Sequence, residues 1–369
     1  MNDIDELKQF VLVHAKAQNI PAAHYGELLD RIDNDEDGAP GSWAREWSRG
    51  AARLAGDGKL LDACRDYNMA RFPYVDGPAR QQALAGCVDT FGRWAAEQPD
   101  LERLDLDLPG GTVGCWATGL ATGPDAVRKP LLLVTGGIVS IKEQWAPVLL
   151  LARRLGLAGV VTEMPGVGEN TLAYDGDSWR ILSGVLDAVA DRADVSRTYA
   201  VALSFSGHLA LRCAVSDPRI RGIATAGAPV STFFTDADWQ AKLPRVTVDT
   251  LARLTGAKPE HLHGHLADWA LTPDQLAALD IPVACTVSLR DEIIPAADPE
   301  LLRAHVRQLS LNTYDDVHGS PRHVTETRLW TIVSVLRMMD ARTPQRAVLE
   351  GLLGVLRLRR RLSRPGGGG

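Results

Sequence analysis

Hydrophobic positions change their period part-way along the chain. Across residues 4–95 they recur at helical spacing, as in Ile4-Asp5-Glu6-Leu7-Lys8-Gln9-Phe10-Val11-Leu12 and again over residues 79–94, after the Gly77-Pro78 break. Ser42-Trp43-Ala44-Arg45-Glu46-Trp47 opens as a capped helix does, and residues 34–41 read as a polar loop. No strand pattern occurs in this first quarter. Residues 101–108 then alternate, Pro109-Gly110-Gly111 turns, and residues 112–118 return, which predicts a hairpin. Short apolar runs follow at 131–134, 158–161, 198–203, 220–226 and 281–288, with a further strand near 312–314. Helical patterns over 145–155, 179–192, 207–215, 299–309 and 325–339 separate them. Apolar strands alternating with amphipathic helices predict an α/β fold, with a mostly parallel central sheet covered on both faces.

Residues 231–277 interrupt that rhythm with helical, strand-free sequence. The predicted division is a helical N-terminal region or cap at 1–98, a core at 99–230 and 278–345, and a helical lid at 231–277. Residues 346–369 should be the end of a helix running into a disordered basic and glycine-rich tail. The arginines of that tail are read as a solvated helix end rather than a site for anionic surfaces.

Composition narrows the function classes. The 369 residues are enough for a large core, and 45% hydrophobic with 23% charged residues is ordinary for a globular protein. A net charge of −6 gives no reason to expect a nucleic-acid partner. Five scattered cysteines without metal-like spacing predict reduced, structural thiols. The polar N-terminus and the lack of a membrane-length apolar run lead to the expectation of a cytoplasmic protein without a membrane partner.

The chemistry centres on Tyr-Ala-Val-Ala-Leu-Ser-Phe-Ser-Gly-His (199–208). Ser204 sits between an apolar run and a helical one, with small residues (Ala202 and Ser206) two positions to either side. That is how an α/β-hydrolase lifts its nucleophile above the sheet, although Gly-x-Ser-x-Gly is the usual form. A serine hydroxyl needs a base, and the base needs a third group to fix its tautomer. In the chain order Ser, acid, His, the acid is Asp291, after the 281–288 strand, and the base is His318, before the last long helix. Glu292 and His323 are the rivals, disfavoured by the Asp-x-x-Ile-Pro context of Asp291 and by the place of His323 where the helix should begin. The oxyanion donors should be the N–H of Phe205 and that of Gly137 or Ile138, in the Gly136-Gly137 loop after the 131–134 strand. His261, His263 and His265 are read as exposed lid histidines, because no cysteine or carboxylate cluster accompanies them as a metal site requires. No metal or organic cofactor is expected. Trp145 and Trp179 are candidates for lining a substrate pocket or for the core. His208 either shapes the pocket or packs beneath the serine turn.

These features resemble the FrsA-like esterases and hydrolases of the α/β-hydrolase superfamily. The likeness rests on Gly136-Gly137-x-x-Ser140-x-Lys142-Glu143, on Glu163-Met164-Pro165-Gly166-Val167-Gly168-Glu169, on the serine turn, and on Asp291 and His318. Residues 67–94, with Arg71-Phe72-Pro73 and Asp76, look like the family's N-terminal region. Departures are Ala202 and Ser206 for glycine, and Glu163 where the family often has Asp. The resemblance implies an α/β-hydrolase fold and a serine hydrolase acting on esters or on carbon–carbon bonds beside ketones, as on polyketide-like compounds. It brings a homodimer into consideration. It also sets Glu143 near the pocket, orienting a substrate oxygen, against the alternative of a surface or capping role beside Lys142. A non-hydrolytic cyclase or lyase on the same scaffold, or a binding protein that keeps only its shape, are the competing readings.

Overall fold

The computed structural model describes residues 2–123 and 125–362. The part of the expected disordered tail that follows residue 362 lies outside the described residues. Eight strands make one sheet: β1 (Leu101–Leu108), β2 (Gly111–Thr118), β3 (Pro130–Thr135), β4 (Ala158–Thr162), β5 (Asp194–Leu203), β6 (Ile220–Ala226), β7 (Val283–Ser288) and β8 (Leu309–Tyr314). Their order across the sheet is β1-β2-β4-β3-β5-β6-β7-β8. The β1–β2 hairpin and its junction with β4 are antiparallel, and every other pair is parallel. The apolar runs of β3 to β7 leave no polar face for solvent, so helices must cover both sides.

The first quarter is helical, with α1 (Ile4–Ala17), α2 (Ala22–Leu29), α3 (Trp43–Gly56), α4 (Leu60–Ala70) and α5 (Pro78–Ala96). Trp43, Trp47 and Phe72 anchor a second apolar cluster there, separate from the one around the sheet. Ser42 occupies the cap position of α3, but its hydroxyl makes no capping bond. In the core come α6 (Lys142–Trp145), α7 (Leu149–Arg154), α8 (Arg180–Val189) and α9 (Phe205–Ser216). Residues 231–277 carry α10 (Thr232–Thr235), α11 (Ala237–Gln240), α12 (Arg245–Thr255), α13 (Leu262–Leu266) and α14 (Pro273–Ala277), and no strand. The chain ends with α15 (Ala297–His305), α16 (Val324–Met338) and α17 (Pro344–Leu362).

Strand register assigns the faces. Gly159, Leu132, Tyr199 and Gly222 lie side by side across β4, β3, β5 and β6. A side chain at Gly159 would meet Leu149 and Ala152 of α7, and one at Gly222 would meet Met338 of α16. These two helices therefore share one face. Ala202 and Thr225 point the other way, and Thr225 packs under Gly207 of α9.

Several boundaries differ from the sequence pattern. The helix expected over 145–155 is broken into α6, a 3₁₀ turn at Ala146–Val148 and α7, because Pro147 has no N–H to continue the ladder. β5 starts at Asp194 rather than 198, and β8 occupies Leu309, where a helix over 299–309 was expected to end. The arginine-rich end is helical as far as Leu362. Arg357 and Arg360 reach Glu326 of α16 at 3.5 and 3.3 Å, which gives that segment a partner the periodicity does not reveal. Among the described residues no helix is long and apolar enough to cross a membrane.

Candidate active site

The turn between β5 and α9 holds Ser204 at φ +56° and ψ −128°, a conformation costly for a residue with a side chain. Neighbouring groups enforce it. The Ser204 N–H donates to Ala226 O at 2.8 Å, and the Gly207 N–H donates to Ser204 O at 2.8 Å. Ser206, one of the two replacements for glycine, donates its hydroxyl to Thr135 O at 2.9 Å and to Leu203 O at 3.0 Å. The small residue thus ties the turn to the end of β3. At Gly207 a side chain would stand 2.2 Å from Thr225 Oγ1, so the helix approaches the sheet as closely as glycine allows.

Ser204 Oγ lies 3.0 Å from His318 Nε2, and His318 Nδ1 lies 2.9 Å from both Asp291 oxygens. Asp291 follows β7, and its Oδ1 accepts the N–H groups of Ile293 and Ile294 at 3.0 and 2.8 Å. Glu292 does not compete for the ring. Its carboxylate accepts the backbone N–H of His318 at 2.9 Å and so fixes the loop that carries the imidazole. Gly227 (φ +58°) leaves room for the ring: a side chain there would sit 2.7 Å from His318 Cε1. Burial lowers the His318 pKa, but the charge and hydrogen bond of Asp291, with Glu292 behind them, outweigh it and raise the net value. His323 is elsewhere, stacked on Tyr314 at 4.4 Å.

Beside the serine, the loop after β3 brings Gly137 so close that a side chain there would sit 3.1 Å from Ser204 Cβ. The N–H groups of Phe205, Gly137 and Ile138 donate to no acceptor among the described residues. The buried Arg71 donates to Val139 O and to Asn68 Oδ1, linking the helical N-terminal region to this loop. A cavity of about 540 Å³ opens over Ser204 and His318, lined mainly by apolar side chains, Ile138 and Trp145 among them. His14 of α1 also lines it. Its ring rests on Phe72 at 4.6 Å and has no hydrogen-bond partner among the described residues. Burial first, then Arg71 and His318, push its pKa down to about 3, so the imidazole is neutral. His14 is not among the site residues that the sequence motifs single out. The signal was a histidine one helical turn after Phe10, on the stripe that should be wholly apolar.

Other candidates lie apart from the cavity or play structural parts. His208 is buried with Nε2 2.9 Å from Trp269 O, and burial draws its pKa down to about 4. It faces the 231–277 helices, one turn along α9 and away from the lumen. Trp179 precedes α8 and lies under the guanidinium of Arg180 at 4.4 Å, away from the cavity wall. His261 and His265 are exposed and His263 is half-buried; among the described residues no group of three His, Cys, Asp or Glu is placed to hold a metal. The five cysteines are buried free thiols.

Glu143 borders the cavity but belongs to an ionic cluster. Its Oε1 lies 3.0 Å from Lys142 Nζ and accepts the Trp116 indole N–H at 3.0 Å. Lys142 also reaches Glu163 at 3.2 Å and Glu169 at 2.6 Å, and Arg103 closes the group on Glu169 at 2.8 Å. Burial lowers the Lys142 pKa, but Glu163, Glu143 and Glu169 raise it by more, so the ammonium is held charged. The Glu143 Oε2 is buried without a hydrogen-bond partner. The motif Ser140-x-Lys142-Glu143 and the pair Glu163 and Glu169 are thus halves of one structure, which their spacing in sequence does not disclose.

A central parallel sheet, an antiparallel hairpin at its edge and a strained serine at a strand-to-helix turn define an α/β-hydrolase. The family model described as Esterase FrsA-like matches residues 41–307, and the chain belongs to that family. Esterase FrsA of Escherichia coli (strain K12) is 27% identical over 236 residues, covering 58% of this chain and 56% of that protein. The match spans little more than half the length of such curated relatives. The solved structure of AbyA5 wild type is 57% identical, covers 96% of this chain and 100% of its own, and superposes with a TM-score of 0.92. A 2,6-dihydroxy-pseudo-oxynicotine hydrolase shares the fold at 20% identity and TM-score 0.69, covering 88% and 94% of the two chains.

Proposed function

We propose that this protein is a serine hydrolase that opens a carbonyl compound of modest size, an ester, a thioester or the carbon–carbon bond of a β-diketone or polyketide-like molecule. The observation that carries the reading is the relay from Ser204 Oγ through His318 to Asp291, at 3.0 and 2.9 Å. His318 takes the Ser204 proton as the oxygen attacks the carbonyl carbon. Asp291 holds the imidazole in the tautomer with Nδ1 protonated and stabilises the imidazolium that forms. The N–H of Phe205, with that of Gly137 or Ile138, receives the negative charge on the carbonyl oxygen. The tetrahedral intermediate collapses, the leaving alcohol, thiol or enolate carbon takes the proton from His318, and the acyl group stays on Ser204. Water, deprotonated by the same imidazole, then releases the acid and restores the hydroxyl. Since His14 stays neutral beside this centre, it offers a substrate oxygen a hydrogen bond without adding charge.

A fluorophosphonate probe tests the nucleophile. The wild type should be labelled at one serine, and Ser204→Ala should lose both label and p-nitrophenyl butanoate turnover, by about 10³-fold or more. Turnover that survives Ser204→Ala would remove the acyl-enzyme and favour a lyase or cyclase that uses His318 as base alone.

A further inference from the structure

A gap runs down one face of the sheet beneath the reacting serine. On that face α7 packs over β2 and β4, and α16 packs over β6. α16 also touches the edge of β5 nearest β6, so the stretch left without either helix directly above runs along β3 and the β3-facing side of β5. From β4 to β6 is three strand spacings, roughly 14 Å, whereas packed helices stand about 8–10 Å apart. The difference, on the order of 5 Å, is the width of one hydrocarbon chain in van der Waals contact on both sides.

Burial along β5 records the same gap. Ala200 and Ala202, facing α9, are closed off, but Val201 and Leu203 on the other face are only half-buried although the strand is central. Val134 of β3 pairs with Val201, and Leu132 lies two residues deeper on the same face. These four side chains form a floor. Leu151 of α7 and Leu155 just after it make one wall, and Ile332 and Leu336 of α16 the other. All eight line the cavity that contains Ser204. From the level of Leu132 to Ser204 is five residues of strand, roughly 16 Å.

We infer that this slot is an acyl-chain subsite that holds a linear aliphatic chain of the substrate. The inference rests on Ser204 being the nucleophile. The leaving group must lie beside His318 to take its proton, so the acyl group points away from it, along the 136–140 loop toward α7. There the slot begins. No charged side chain faces its deep end among the residues named, so a polar chain would lose its water without compensation.

Chain-length dependence tests it. With p-nitrophenyl esters from acetate to decanoate, kcat/KM of the wild type should rise about three- to fourfold per methylene until the slot is full. Ile332→Trp and Leu151→Trp, on opposite walls, should each lower the decanoate-to-acetate ratio at least about tenfold. A profile that is flat or falls from butanoate onward, with Ser204 still labelled by fluorophosphonate, overturns the subsite and leaves the nucleophile intact. Calorimetry on Ser204→Ala with butanoate and decanoate reads the slot without chemistry: decanoate should bind at least about tenfold more tightly, and equal affinities overturn the inference whatever residue proves reactive.

Discussion

Two buried charged groups lie either side of the 136–140 loop, and they behave in opposite ways. Around Lys142 one ammonium, held charged by Glu163, Glu143 and Glu169, is shared by three carboxylates, with Arg103 at the rim. Around His318 one carboxylate faces one imidazole, whose far nitrogen meets a hydroxyl that opens onto a cavity. Both are ionic and poor in water. What separates them is stoichiometry: the first sets three carboxylates on one ammonium and leaves Glu143 Oε2 without a hydrogen-bond partner, and the second aligns one carboxylate, one imidazole and one hydroxyl toward the cavity.

Variants can break that contrast. The largest effect should fall on turnover: Asp291→Asn should cost about 10⁴-fold in kcat on p-nitrophenyl butanoate, with a melting temperature close to wild type. The mirror result is expected of Lys142→Met, which leaves three carboxylates around a neutral side chain. Urea unfolding should read a loss of about 3–5 kcal/mol.

A pH series sharpens the comparison further. His318 has a raised pKa in the folded protein, so the acid limb of kcat/KM should have its midpoint above 6.5, the ordinary histidine value. The imidazolium–Asp291 pair stabilises the fold fully below the unfolded pKa, and that contribution is lost as pH rises through the folded one. Activity and this part of stability should therefore move in opposite directions in one window. An acid limb at or below 6.5 would show that Asp291 and Glu292 do not govern the ring.

Much of the core was legible because its signals are local. Ser204 is announced by small residues on either side of a strand-to-helix switch, Asp291 by the apolar strand before it, and His318 by the long helix that follows its loop. What escaped depends on distance in sequence. His14 reaches the cavity from the first helix. Glu143 shares Lys142 with Glu163 and Glu169, and Ser206 ties its turn to the carbonyl of Thr135. Trp179 and His208, both plausible for a pocket from composition, lie away from the lumen: Trp179 sits in the turn before α8, and the phase of α9 turns His208 toward the 231–277 helices. Pro147 shows the converse: one residue's missing N–H breaks a helix that the apolar period around it would carry straight through.

The roof of the cavity has a temporal meaning. Arg328 of α16 donates to Ala17 O and, at 2.9 Å, to Asn19 Oδ1 across 309 residues of sequence, so α16 is pinned to the end of α1 in the wall of the cavity that holds Ser204. During synthesis that clasp cannot fasten until residue 328 has left the ribosome, and His318 is itself a late arrival. The hydroxyl at 204 is thus made well before the imidazole that lies 3.0 Å from it in the folded protein, and the two can meet only once residue 318 has emerged.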